Sequence, residues 1–183
     1  APPERPAASR PIAAIARFYR SAIETQRHGR TMLRMSNPLL DFSDLPLFDR
    51  ITPQDVAEYY YGYANSTLWP LFHYRLDLTE YERHTAIGYE RVNERFADSI
   101  APLVAPDDLV WVHDYHLIPL GDALRRRGCR NRMGFFLHIP WPPTQLLVSL
   151  PYHERLVRSL LAYDVVGFQC NEWLDSFLDY CRV

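Results

Sequence analysis

Residues 109–120 read LVWVHDYHLIPL: four apolar residues, then His113, Asp114, Tyr115 and His116, then an apolar run again. A short apolar run of this kind reads as a buried strand, and here it leads directly into side chains that bind and react. In open parallel sheets, ligands bind outside the carboxyl ends of the strands, so the stretch predicts an α/β protein whose cleft begins at residue 113. The flanking sequence agrees. A strand over Leu109 to Val112 is followed by a helix from Ile118 to Arg127 that Gly128 ends, then a strand over Met133 to Leu137. Helices from Thr144 to Leu150 and Tyr152 to Ala162, a strand from Val165 to Phe168 and a helix from Asn171 complete the pattern. Repeated units of this size predict a partial Rossmann-like parallel sheet with helices on both faces.

Upstream, Thr52-Pro53-Gln54-Asp55 supplies an N-cap, a proline at the first helical position and an acid in the first turn, predicting a helix to about Tyr63. Tyr89, Val92, Phe96 and Ile100 recur at spacings of 3, 4 and 4, predicting a second helix from near Glu80 to Pro102. Residues 1–50 read as an atypical Pro/Arg-rich leader with a short helix around Ile12 to Glu24 and a loop from Asn37 to Phe48. The expected organisation is therefore a leader, 1–50, and one partial lobe, 51–183.

The 183 residues are 48% hydrophobic and 23% charged, with a net charge of −2, which describes a soluble globular chain with no polyanion partner such as nucleic acid. No apolar run approaches the roughly 18 residues of a membrane span. All twenty cationic residues are Arg. With no Lys, Schiff-base chemistry and a P-loop lysine are excluded. Three cysteines without CxxC spacing suggest neither a disulfide framework nor a zinc site, and a reducing, cytoplasmic setting fits.

Two predicted strands end in polar loops, His113-Asp114-Tyr115-His116 and His138-Ile139-Pro140-Trp141. Asp114 is a candidate to accept hydrogen bonds from sugar hydroxyls or act as a base, and His138 to donate to a developing negative charge. The plainer reading is that Asp114 caps the next helix and that His113, His116 and His138 are structural. A metal-dependent hydrolase built on these residues lacks an HxH, HxD or HExxH pattern, so no metal or cofactor is expected. The aromatic stretch YYYGYANSTLWPLFHYRLDL, residues 59–78, suits either a sugar face or a core.

Taken in order, ITPQDVAEYYYGYANSTLWPLFHYRLDL, YERVNERFA, DDLVWVHDYHLIPLGDALRRRG, NRMGFFLHIPWPPTQLLVSLPYHERLV and YDVVGFQ closely resemble the trehalose-6-phosphate synthases, retaining glycosyltransferases with two Rossmann-like lobes. The resemblance covers about Ile51 to Val183 and implies the N-terminal, acceptor-binding lobe of the GT-B architecture. It implies transfer of glucose from UDP-glucose to glucose-6-phosphate with retention, giving α,α-trehalose-6-phosphate, by front-face displacement without an enzyme nucleophile. It implies that Asp114 hydrogen-bonds acceptor hydroxyls, that Tyr60 and Trp69 line the acceptor site near its phosphate, and that His138 sits beside the transferred glucose.

Two departures matter. The family opens with a strand ending in Ser-Asn-Arg and a Gly-Gly loop, where this chain has only Met35-Ser36-Asn37-Pro38 as an echo. The nucleotide-binding lobe of the family has no counterpart here. The sequence reading is thus a truncated synthase, inactive alone, with exposed apolar surface that favours self-association or pairing with a full-length synthase. A related synthase using another phosphorylated acceptor, and a non-catalytic sugar-phosphate-binding or regulatory module, are the alternatives.

Overall fold

A computed structural model describes residues 23–26 and 51–182 of the chain. At Thr52 the predicted helix start forms a reciprocal cap. The Thr52 hydroxyl accepts from the Asp55 N–H at 3.1 Å, and the Asp55 carboxylate accepts from the Thr52 N–H at 2.8 Å. Helix α1 follows, with an α-helical start Pro53–Asp55, a π-helical segment Val56–Leu68 and an α-helical end Trp69–Phe72. It runs past the expected end at Tyr63 because the chain continues in wide i→i+5 turns, which spacing rules built on 3.6 residues per turn do not detect. Pro70 lacks the N–H that would continue the helical bonding, and the Ser66 carbonyl four residues before it accepts from the Glu80 N–H at 2.8 Å instead.

Helix α2, Arg83–Ile100, buries Tyr89, Val92, Phe96 and Ile100, the face its periodicity predicts. It packs tightly on α1: a Cβ on Gly88 would come within 2.4 Å of the Glu58 Cβ. That approach brings Arg91 to two carboxylates, Asp55 at 2.9 Å and Glu58 at 2.6 Å, while Arg95 also pairs with Asp55. The Asp55 side chain is only 2% exposed. Burial alone would raise its pKa, but the N–H and hydroxyl of Thr52 with the two guanidinium groups outweigh that and bring it to about 2. Arg91→Ala is expected to destabilise the fold by about 2–3 kcal/mol in urea unfolding. This lies below the full cost of orphaning a buried ion because Arg91 is 35% exposed and Arg95 still serves Asp55. A loss under about 0.5 kcal/mol, the size of an ordinary surface change, would refute a structural role for the cluster.

The parallel core of the sheet is as predicted. Strands β2 (Leu109–His113), β3 (Met133–Phe136) and β4 (Val165–Gly167) pair in parallel, with Trp111 opposite Gly134 and His113 opposite Phe136. Gly134 is needed there: a Cβ would meet the Trp111 ring at 2.3 Å. On the other pleat Val110, Val112 and Phe135 are fully buried. A fourth strand, β1 (Ile23–Gln26), pairs antiparallel with β2, so the sheet is mixed rather than wholly parallel. This corrects the leader reading at Ile23 and Glu24, which lie in a strand rather than a helix; the rest of that proposed helix and Met35–Pro38 fall outside the described residues.

Helix α3, Leu120–Arg126, follows β2 and ends ahead of Gly128, which takes φ 85° as a helix stop requires. Helix α4, Thr144–Leu147, and helix α5, His153–Leu160, are shorter than predicted, separated by a tight turn in which Tyr152 adopts φ 62°. Helix α6, Asn171–Arg182, closes the described chain. Among the described residues no helix is long and apolar enough to cross a membrane.

Candidate functional site

The four polar residues after β2 divide into two jobs. Tyr115 and His116 turn inward and are buried, as is Leu117, in a short 3₁₀ turn, Tyr115–Leu117. The turn is held from below: Tyr59 of α1 donates to the His116 carbonyl at 3.1 Å, and Asn93 of α2 donates to the same carbonyl at 3.1 Å. The Tyr115 hydroxyl donates to Asn65 at 2.8 Å. Burial pushes the His116 imidazole down to about 3, so it is neutral at ordinary pH. The structural reading thus holds for His116.

Asp114 has the other job. Its backbone sits at φ 72° and ψ 163°, a conformation costing about 1–3 kcal/mol for a residue with a side chain and found preferentially where function over-determines the geometry. The strain is fixed by the Asp114 N–H donating to the Phe136 carbonyl at 2.8 Å and the Leu117 N–H donating to the Asp114 carbonyl at 3.0 Å. Its carboxylate accepts from the Tyr115 N–H at 3.0 Å, so Asp114 caps the short 3₁₀ turn, while the helix that follows, α3, has Pro119 at its N-cap instead. Burial raises the Asp114 pKa, with the N–H groups of Tyr115 and His138 and the His138 and His73 rings pulling it back. A carboxylate held in this way, partly stripped of water, is a strong acceptor for hydroxyl groups.

His138 follows β3, two residues beyond Phe136 and on the same pleat. Gln169 donates to its carbonyl at 2.7 Å, and its ring lies against His113, Nδ1 of His113 to Nε2 of His138 at 2.8 Å. The same loop turns Trp141 inward, fully buried against Phe72, Phe168 and Phe177.

Tyr60 and Trp69 reach this end of the sheet from α1. Tyr60 stacks on the His116 ring at 5.5 Å and 15°, one residue from the Asp114–Tyr115 step. Trp69, 42% exposed, lies against His73 with ring centroids 4.1 Å apart, and His73 is one of the groups that the Asp114 carboxylate feels. The structure therefore links Tyr60 to Asp114 through ring and hydrogen-bond contacts at His116 and Tyr115, sets Asp114 and His138 at the ends of adjacent strands, and leaves Trp69 in contact with His73, whose charge acts on Asp114 through space. The sequence reading missed His73. Its only signal was position: four residues after Trp69, on the same helical face, with its Nδ1 2.7 Å from the Trp69 carbonyl. Among the described residues no group of three or more His, Cys, Asp and Glu side chains is placed to hold a metal ion.

The glycosyltransferase family 20 model matches residues 38–183. The trehalose-6-phosphate synthase of Sinorhizobium fredii is 57% identical over 132 residues, covering 72% of this chain and 28% of that protein. The trehalose-6-phosphate synthase of an Enterobacter species is 47% identical over 129 residues, covering 70% and 27%. Among solved structures, the alpha,alpha-trehalose-phosphate synthase (UDP-forming) of Burkholderia xenovorans, in complex with glucose-6-phosphate, superposes with a TM-score of 0.70 at 51% identity over 71% of this chain and 29% of its own. An Escherichia coli structure bound with UDP-2-fluoro glucose superposes with a TM-score of 0.71 at 46% identity over 72% of this chain and 29% of its own. The chain thus spans under a third of the length of these relatives.

Proposed function

The chain belongs to glycosyltransferase family 20, and from that membership we propose that residues 51–183 form the acceptor-binding lobe of a trehalose-6-phosphate synthase. The reaction is transfer of glucose from UDP-glucose to glucose-6-phosphate with retention, giving α,α-trehalose-6-phosphate and UDP. The observation that carries the reading is the placement of Asp114 and His138 at the ends of adjacent parallel strands with Tyr60 stacked on the neighbouring His116, in a region 51% identical to a relative whose structure holds glucose-6-phosphate. Asp114 accepts from the acceptor's hydroxyls. Tyr60 and Trp69 offer ring faces beside it, near the acceptor phosphate. His138 supplies a donor next to the glucose in transit, where charge builds as the phosphate leaves. The chemistry asks for orientation rather than a nucleophile, which suits a strained, over-anchored strand end.

The same reading assigns a cytoplasmic location, in keeping with three free cysteines. It also assigns self-association or pairing with a full-length synthase, in keeping with Val165 on β4, which is 57% exposed.

The test is calorimetric titration of the chain with glucose-6-phosphate, glucose and inorganic phosphate. Glucose-6-phosphate is expected to bind more tightly than either part. Asp114→Asn is expected to weaken it by about 10- to 100-fold, the loss of a hydrogen bond to a charged group. Equal binding of all three, or an unmoved Asp114→Asn, would sink the reading. Mass-spectrometric analysis after adding UDP-glucose separates the alternatives: a disaccharide phosphate marks a working synthase, and binding without product favours a sugar-phosphate-binding module.

A further inference from the structure

His113 and His138 come from the ends of adjacent parallel strands, and the register that sets His113 opposite Phe136 brings their rings together. The ring planes are 30° apart with centroids at 5.0 Å, and Nδ1 of His113 is 2.8 Å from Nε2 of His138. At that distance one nitrogen carries the proton and the other accepts it, and the choice decides what His138 shows to a ligand. If Nε2 of His138 donates, its Nδ1 is a bare acceptor. If Nε2 accepts, Nδ1 carries the proton and His138 is a hydrogen-bond donor on its open side.

Resting on the assignment of His138 as a donor to the transferred sugar, we infer that His113 is a positioning residue. Its Nδ1–H donates to Nε2 of His138 and locks His138 in the Nδ1–H form. A free neutral imidazole prefers the proton on Nε2, so the lock holds both His113 and His138 in their less favoured form, and what the pair gains is a donor at Nδ1 of His138. The surroundings hold the geometry. Gln169 fixes the His138 carbonyl, the Phe136 ring lies 4.9 Å from the His138 ring, and the Asp114 carboxylate, between the two strand ends, draws on the backbone N–H of His138 rather than its ring. A second imidazole suits this job because it donates from a rigid ring.

Heteronuclear NMR of the imidazole nitrogens in the intact chain, at about pH 8, above the ordinary imidazole range, tests the inference. His138 is expected to be protonated at Nδ1 and bare at Nε2, and His113 protonated at Nδ1. His113→Leu should convert His138 to a mixture dominated by the Nε2–H form. His113→Asn, whose amide nitrogen stands where Nδ1 stood, should restore the original form. A wild-type His138 protonated at Nε2, or a His138 signature unmoved by His113→Leu, would overturn it. Should His113→Leu fail to fold, the wild-type and His113→Asn spectra still decide. No sugar phosphate is present in the measurement, so its failure is distinguishable from failure of the acceptor reading.

Discussion

Trp141→Ala is expected to lower the stability of the chain by about 3–5 kcal/mol, the range for emptying a large aromatic site in a packed core. Trp141 is fully buried and stands at the meeting point of three elements: Phe72 at the end of α1, Phe168 after β4 and Phe177 on α6, with ring centroids at 5.3, 5.9 and 5.3 Å. None of these neighbours can close the gap without moving the element that carries it. Because His138 lies three residues before Trp141 on the same loop, the variant is also expected to loosen the contact between His138 and His113. Urea unfolding of wild type, Trp141→Ala and Trp141→Phe measures this, and Trp141→Phe, which keeps a ring at the centre, should lose less than half as much. Equal losses from the two variants would show that the cluster is not what anchors the loop.

Stability is also expected to fall steeply as pH drops from about 6.5 towards about 3, with His116 as the main cause. The sign follows from its burial. The folded pKa is depressed from 6.5 to about 3, so between those values the unfolded chain binds a proton that the folded chain refuses. Stability therefore rises with pH across that window and is lost on acidification, by up to about 1.4 kcal/mol per pH step and about 3–5 kcal/mol in all. Asp55 adds to the loss only below its ordinary value of 3.8, since its folded pKa is about 2. Asp114 and Glu90, whose pKa values burial raises, act in the opposite direction near the usual carboxylate range and soften the slope there. His116→Phe keeps a ring for Tyr60 to stack on and removes the titration. Unfolding free energies measured across this range should lie nearly flat for His116→Phe, and a slope equal to that of wild type would assign the acid sensitivity to other groups.

The elements legible in the sequence are those whose signal is local. Thr52 to Asp55 announces a helix start because cap and acid lie three residues apart, and Tyr89, Val92, Phe96 and Ile100 announce a buried face because helical geometry repeats within one turn. The strand ends at His113 and ahead of His138 are legible for the same reason: an apolar run stops and polar residues begin. The 13-residue π-helical segment was not legible, since its turns depart from the period on which such reading depends. Nor was β1, whose four residues IETQ carry no alternation strong enough to outweigh the helical pattern around them.

By itself, then, the sequence determined the alternation of strand and helix, the family, and which strand ends carry Asp114 and His138. The tertiary structure alone decided which neighbours those residues have. His113 and His138 are 25 residues apart, and only the parallel register of β2 and β3 brings one ring nitrogen to 2.8 Å from the other. His116 and Asp114 are two residues apart and similarly polar, yet one is buried beneath α1 and α2 while the other stays half-buried at the strand end, because the strained backbone at Asp114 turns the chain between them. Local pattern reports what a segment prefers, and the contacts that make a site are made between segments, where packing and register decide.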